Sequence, residues 1–506
     1  MSEAGAAEAR SFTHREIVSI LSGILLGMML AALDQSIVAT ALPSIASELG
    51  GFDHLSWIVS GYLLTSTAST PIYGKLSDLY GRRSMLQISI LIFVIASVLS
   101  GMAQSMPQLI AARCLQGLGG GGLVSMAQAI IADVISPRER GRYQAYLSGV
   151  WATASVGGPV LGGLFVDYLS WRWVFWINLP IGIGAFVLCR RALAALVTRR
   201  ARRRIDYLGA LLLTVTVTDL LLIFTWGGTI YSWTSRPVLT LILLAPPLLI
   251  ACALQELRAP EPMLPLRLFV NPVVSSANVA SFIVSMAMFG GIVLLPVFLQ
   301  LVSGVGAGDS GLLLIPLMGG TVVGAYATGQ FMRASGRYKL YPLVGLTAGA
   351  FAFALMATMG TATSPATAMV YMGILGIGIG SSMPVMLVAV QNATEARDIG
   401  VATATVAFFR SLGGSFGAAI LWSALLAALA RHFAGAASLA VLQGGPDAAA
   451  QLTPQQHALL IPALTQAFHL VFAICAVIMA ASVAATLFLP ELPLRTTPAH
   501  SSVGEH

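Results

Sequence analysis

Apolar residues in this chain come in runs of about 20, several times longer than a soluble core strand uses, and the runs recur from end to end. A bilayer core of about 30 Å takes about 20 apolar residues to cross as a helix. Lipid offers backbone groups no hydrogen-bond partner, so a chain made of such runs must be helical within them. About fourteen runs are visible, near 17–40, 55–76, 84–103, 107–132, 143–168, 173–195, 207–227, 237–256, 273–301, 309–331, 340–360, 366–390, 399–430 and 462–489. The expected fold is therefore an all-α polytopic membrane protein. Charged residues make up 9% of the chain, against about a quarter in soluble domains. That excludes a soluble enzyme, a disordered regulator and a nucleic-acid-binding domain. The two lysines, Lys75 and Lys339, are each followed by Leu, whereas a phosphate-cradling Walker loop needs Lys followed by Ser or Thr. Any pumping must draw on a source other than ATP bound in such a loop. Cys114, Cys189, Cys252 and Cys475 are scattered singly within apolar runs and read as small buried hydrophobes. Residues 1–16 are polar and lead into a run too long for a cleavable signal, so the first run is expected to stay as a span.

Charge placement orients the spans. With the N-terminus in the cytoplasm, 22 of the 27 Lys and Arg residues fall on inner segments. Three (Arg172, Arg236 and Arg431) fall on outer ones, and Arg113 and Arg410 lie inside runs. A missed span would invert the alternation downstream of it, so the positive-inside rule favours fourteen spans with both termini cytoplasmic. The chain also repeats a frame. Gly74 to Arg82 reads Gly, six residues, Gly-Arg, and the frame returns at Gly329 to Arg337, each time after the second span of a half. Two six-helix halves with two inserted helices fit this spacing, and transporters are commonly built from such repeats around a midplane site. The expected organisation is a cytoplasmic segment 1–16, an N-terminal bundle 17–195, a basic linker with two inserted helices 196–256, a C-terminal bundle 257–489 with a long outer loop 432–461, and a cytoplasmic tail 490–506. The Arg-rich stretch 190–204 reads as a topology anchor at anionic lipid. His432 and His457 stand too far apart to signal a metal site, and none is expected.

Several segments resemble the major facilitator superfamily, in particular its fourteen-helix drug:proton antiporters. Leu33-Asp34-Gln35-Ser36 through Pro43 is similar to the first-helix motif of that branch, and Gly74 to Arg83 to the superfamily's loop signature. Arg113-Cys114-Leu115-Gln116-Gly117 resembles the fourth-helix motif. Gly149 to Gly163, with Gly157, Gly158, Pro159 and Gly162, resembles the fifth-helix antiporter motif, and Trp171 to Pro180 the start of the sixth helix. The resemblance covers nearly the whole chain. It implies export of small amphipathic or hydrophobic drugs and biocides in exchange for protons, by alternating access. It also implies no cofactor beyond the proton gradient, lipid as surroundings, a monomer as the simplest working unit, and a bacterial inner membrane as location. A dedicated exporter of one metabolite, antibiotic or lipid-like compound is the alternative within the family, and a channel the alternative outside it. An enzyme is not expected, since no nucleophile, base or metal cluster falls within the spans.

Asp34 is the first candidate site residue. A carboxylate in an apolar helix is costly unless paired, and one poised between desolvation and a partner can take a proton from one side and release it on the other. Proton coupling or contact with a cationic substrate is expected of it, against a structural carboxylate as the bland alternative. Arg113, always charged, is its natural partner, and the resemblance implies a part in proton transfer. Asp78 with Arg82 and Arg83, framed by Gly74 and Gly81, reads as a conformational latch rather than a topology signal alone; the second copy has Arg333 where Asp78 stands. The glycines of the fifth helix and Pro159 read as a close-packing and kinking set. Tyr62, Gln116, Asn278, Gln300, Gln391, Asn392 and Arg410 join Asp34 as candidates to line a substrate cavity, with Met286, Met288, Met383 and Met386 as a soft wall. Asp219, in the inserted pair by resemblance, reads as structural. The C-terminal half carries no acid clearly inside a span, which argues against dicationic substrates.

Overall fold

In the computed structural model, residues 14–50, 55–193, 206–227, 231–289, 294–305, 313–395, 398–432 and 454–495 are described. The first thirteen residues, most of the Arg-rich stretch 190–204, the greater part of the outer loop 432–461 and the tail beyond 495 lie outside these segments. The described chain is helical, as apolar runs in lipid require. Its helices are α1 (His14–Leu49), α2 (Leu55–Tyr80), α3 (Arg82–Gly101), α4 (Met106–Val134), α5 (Pro137–Tyr168), α6 (Trp173–Trp176), α7 (Asn178–Ala192), α8 (Tyr207–Trp226) and α9 (Arg236–Arg258). A 3-10 turn at Leu266–Val270 precedes α10 (Pro272–Phe289), α11 (Leu295–Leu301), α12 (Ile315–Ser335), α13 (Leu340–Met356), α14 (Pro365–Ala393), α15 (Ile399–His432) and α16 (Pro454–Leu487). Ten of the described helical stretches are long and apolar enough to cross a membrane, and two shorter apolar helices, Pro272–Met288 and Leu340–Met356, fall in expected runs. The run 173–195 is not one helix: α6 and α7 divide at Ile177, three residues before Pro180.

Helix pairing repeats along the chain. Early in the chain α4 packs on α2 and α3, α1 on α5 and α7, and α3 on α7. Later, in the same arrangement, α14 packs on α12 and α13, α10 on α15 and α16, and α13 on α16. The repeated frame shares a backbone device as well: Gly81 (φ 90°) and Gly336 (φ 70°) both take the left-handed conformation that glycine enters without a Cβ clash. The two sets meet where α5 lies on α12 and α2 on α15, with α8 packed against both α2 and α15 and backed by α9. Large apolar side chains such as Val160, Leu243, Val344, Phe351 and Val477 are exposed on the outside of this assembly. A bilayer satisfies such a surface; water does not.

The glycines of α5 divide by face. A Cβ at Gly158 or Gly162 would run into Ser36 or Thr40 of α1, so only glycine lets these helices approach so closely. Gly149, Gly157 and Gly163 have no neighbour within 4 Å of where a Cβ would stand. The expectation that all five pack tightly is corrected here: at about 100° per residue, 157 and 163 turn away from the face that 158 and 162 present. Pro159 lies inside α5, which continues unbroken through it to Tyr168. The start of the tail, residues 490–495, is packed against the bundle. Leu489 and Leu494 are buried in a cluster with α12, α14 and α15 residues. The Tyr338 hydroxyl donates to Pro490 O (2.7 Å) and accepts from Leu492 N (2.9 Å), while Asn392 accepts from Arg495 N (3.0 Å).

Candidate functional site

Asp34, on α1, is fully buried, and three side chains aim N–H groups at its oxygens. Arg113 on α4 donates from Nη1 to Oδ2 at 2.5 Å, Gln116 from Nε2 to Oδ1 at 2.8 Å, and Asn178 at the start of α7 from Nδ2 to Oδ1 at 3.2 Å. Gln116, one turn along α4 from Arg113, also accepts from Arg113 Nη1 (2.6 Å). Ser97 of α3 takes a second bond from Gln116 (2.6 Å) and from Asn178 (3.3 Å). The guanidinium reaches a fifth helix, α2, through Nε to Ile58 O (3.1 Å) and lies over the Tyr62 ring at 4.5 Å. The buried negative charge is thus paired and hydrogen-bonded, which a charge in low dielectric requires. Five helices contribute: α1, α2, α3, α4 and α7. Asn178 and Ser97 escape a search for charge, being uncharged polar residues in apolar runs. The only signal for Asn178 was its place between Trp171 and Pro180.

At the end of the bundle expected to face the cytoplasm, Asp78 closes α2 onto α15. Its Oδ1 and Oδ2 accept from the backbone amides of Gly400 and Val401, at 3.2 Å each. These are unpaired amides at the start of α15, where the helix dipole favours an anion. Arg82 pairs with Asp78 (2.6 Å) and with Asp133 of α4 (2.8 Å). Gly74 is needed beside them, since a Cβ there would stand 2.7 Å from that of Ala404 and 2.8 Å from Gly400 O. Burial pushes the Asp78 carboxyl up to about 6, with Asp133 adding to the rise and Arg82 and the Val401 amide opposing it. Arg83 is half-buried and takes no part in these bonds.

A second closure, absent from the sequence expectations, lies between α5 and α12–α14. Arg138 donates to Arg333 O at 2.8 Å, so the position that replaces Asp78 in the repeated frame serves through its carbonyl. Arg140 is wholly buried and donates to Ile135 O (2.7 Å), to Ala132 O and to Gln391 Oε1 (3.0 Å). Gln391 in turn donates to Thr403 (3.0 Å). Burial pulls Arg140 down to about 9, Asp133 opposes, and Arg495 of the tail adds to the fall. Nothing in a run of basic residues marks the one that turns inward, and Arg140 reads from sequence as a topology charge. Lys75 pairs with Glu261 (2.9 Å), tying α2 to the connection after α9.

The cavity candidates sort differently from the expectation. Tyr62 and Gln116 are buried in the Asp34 network, Gln391 in the second closure, and Asn392 holds the tail. Asn278 is buried against Thr405 (3.3 Å). None of these five fronts open space, because each is saturated or enclosed by neighbouring helices. Gln300, on α11, is half-buried. Arg410 alone among the charged candidates is half-buried, with Met383 Sδ at 3.9 Å. Asp219 is buried on α8 with Oδ2 bonded to no described residue; Thr216 turns to Leu212 O and Leu248 O instead of to it. At the opposite end, Glu48 accepts from Arg172 (2.6 Å) and Trp171 (2.7 Å), and these bonds hold its carboxyl below the usual range.

Comparison with known proteins follows the same lines. The sequence model of the Major Facilitator Superfamily matches residues 24–418. An uncharacterized MFS-type transporter of Mycobacterium tuberculosis (strain H37Rv) is 39% identical over 483 residues, covering 95% of this chain and 69% of the other. A multidrug transporter protein of Bacillus subtilis (strain 168), MdtP, is 38% identical over 402 residues, covering 79% of this chain and 74% of its own. In fold, the human organic anion transporter MFSD10 superposes with a TM-score of 0.63 at 14% identity, over 93% of this chain and 99% of that one.

Proposed function

This chain belongs to the major facilitator superfamily, and on that premise we propose that it is a proton-coupled antiporter exporting amphipathic or hydrophobic compounds by alternating access. It is a transporter and a multi-pass membrane protein; coupling, substrate breadth and a bacterial inner-membrane location are the finer reading. The ten long helices, the two shorter ones and α2 and α12 coincide with the fourteen apolar runs. That supports fourteen spans, with α8 and α9 inserted between two six-helix halves and the termini inside. Relatives named as a multidrug transporter and a multidrug resistance protein support a broad substrate range.

The Asp34 network carries the reading. With both inner closures made, the conformer is sealed at the Asp78 end, and Asp34 is held by Arg113. A proton arriving at Asp34 from the outer side removes the charge that holds Arg113. The guanidinium then stays with α2, to which Ile58 O and Tyr62 bind it. The same α2, 26 residues long and so about 39 Å, carries Asp78 at its other end. A shift of α2 in response to the first event therefore loosens the second, and the inner end opens. There the proton leaves, substrate enters, and the exchange of one for the other returns the protein to the sealed form. Asp34→Asn in liposomes under an imposed pH gradient is expected to lower gradient-driven dye efflux at least about tenfold, since it removes the titrating group outright, while the protein still inserts. Efflux at the wild-type rate would refute the coupling role. Transport of a chemically mixed panel separates the multidrug reading from a dedicated exporter, which would accept one compound. A channel would conduct without saturating.

A further inference from the structure

Arg410 stands in the membrane interior with no counter-ion among the described residues. It lies ten residues along α15 from Gly400, where the inner latch sits, and so about 15 Å deep at 1.5 Å per residue, near the middle of a bilayer core of about 30 Å. The ion pairs among the described residues commit Asp34, Asp78, Asp133, Glu48, Glu261 and Asp398 to other cations. The residue is half-buried, as is Met383 of α14, whose Sδ lies 3.9 Å from the guanidinium. The next residue, Ser411, meets Thr67 of α2 at 2.6 Å, so this stretch of α15 fronts the other half.

An unpaired guanidinium in such a place is costly unless something binds it. Its planar fork fits a carboxylate or sulfonate through two parallel bonds. Met383 touches it, and the same helix carries two half-buried rings, Phe409, packed on Phe269 (5.9 Å), and Phe416, packed on Phe224 of α8 (4.3 Å) and Phe282 of α10 (5.7 Å). We infer that Arg410 is the charge-reading residue of the substrate site, and that the favoured cargo is an amphipathic monoanion, with an oxyanion head on an aromatic or aliphatic body. The inference rests on the exporter reading above and adds the chemical class of its substrate.

Three probes sharing one pyrenylbutyl body test it: pyrenebutyrate, pyrenebutanol and pyrenebutyltrimethylammonium. Their binding to the purified full-length protein is read by probe fluorescence at about pH 7, where the carboxylate is ionised. The wild type should bind pyrenebutyrate about tenfold tighter than either of the others, the scale of one charge-assisted hydrogen-bond pair. Arg410→Gln should abolish that preference and leave pyrenebutanol within about twofold of its wild-type affinity, since only the charge contact is removed. Arg410→Lys should keep part of it, and it replaces the Gln variant should that one aggregate, with a loss of about threefold expected for pyrenebutyrate alone as the fork becomes a point charge. No preference in the wild type, a preference surviving in both variants, or binding of none of the three probes overturns the assignment. Gradient-driven transport of pyrenebutanol in liposomes is measured alongside. Transport without an anion preference sinks the Arg410 assignment only, and an anion preference without gradient-driven transport sinks the exporter reading only.

Discussion

On the proposed reading, burial turns Asp78 into a pH-sensitive part of the gate. Its carboxyl, at about 6 in the closed latch, lies above the ordinary 3.8, chiefly because of burial. The closed form therefore binds a proton more readily than a form in which Asp78 is solvated. The protonic contribution to closure is complete below about pH 4, falls as pH rises through about 6, and is gone above that, a span worth about 3 kcal/mol at 1.36 kcal/mol per unit. Spin labels on the exposed Glu139 and Arg337, one in each half, report the inner opening. Raising the pH from about 5 to about 7 should move their distance distribution toward the open form. Asp78→Asn should flatten that dependence, and a variant still showing the full pH shift would place the titrating group elsewhere. Asp34, Arg113 and Asp78 were legible in the sequence because a charge within or beside an apolar run stands out by its cost. Ser97, Asn178 and Arg140 were not. The first two are uncharged and cost little, and the third sits among basic residues with an ordinary topological reason to be there.

Among the elements, helices were readable from run length, since lipid leaves the backbone no other state. Their facing surfaces were only partly readable. The fifth-helix motif places five glycines in fifteen residues, and nothing in their spacing says that Gly158 and Gly162 alone abut Ser36 and Thr40. The distinction has a measurable consequence. Gly162→Ala and Gly158→Ala push α1 and α5 apart and should each cost about 1–3 kcal/mol, the usual penalty for overpacking. Gly157→Ala and Gly163→Ala meet open space and should be neutral or stabilising by about 0.5–1 kcal/mol, the helical advantage of alanine over glycine. Thermal unfolding in detergent ranks the four. Equal effects in both pairs would mean that the α1–α5 contact is not held as closely as the geometry says. The order of Pro490 to Arg495 was unreadable for a similar reason: the segment lacks a helical period, and it is held by Tyr338 and Asn392, partners that composition does not reveal.

For the molecule as a whole, the contacts that join the halves are the least readable, because they pair residues far apart in sequence: Asp78 with Gly400 is separated by 322 positions and Arg140 with Gln391 by 251. They lie on two seams at the end that carries Asp78, α2 with α15 and α5 with α12 and α14. If each half moves as a rigid body, opening must break both seams together, and each closure then adds its own term to a single equilibrium. Asp78→Ala weakens one seam, since it leaves the Gly400 and Val401 amides without their acceptor. Gln391→Leu weakens the other, removing the acceptor of Arg140 and leaving a buried charged donor short of a partner, at about 1–3 kcal/mol. The substitutions share no bonding partner, so their effects on the opening free energy should add to within about 0.5 kcal/mol. Above about pH 6, where the Asp78 proton no longer contributes, the same pair of labels should show the double variant more open than either single one, by the product of their separate shifts. A double variant no more open than the stronger single one would mean that the seams open in separate steps, and that the halves bend as they rock.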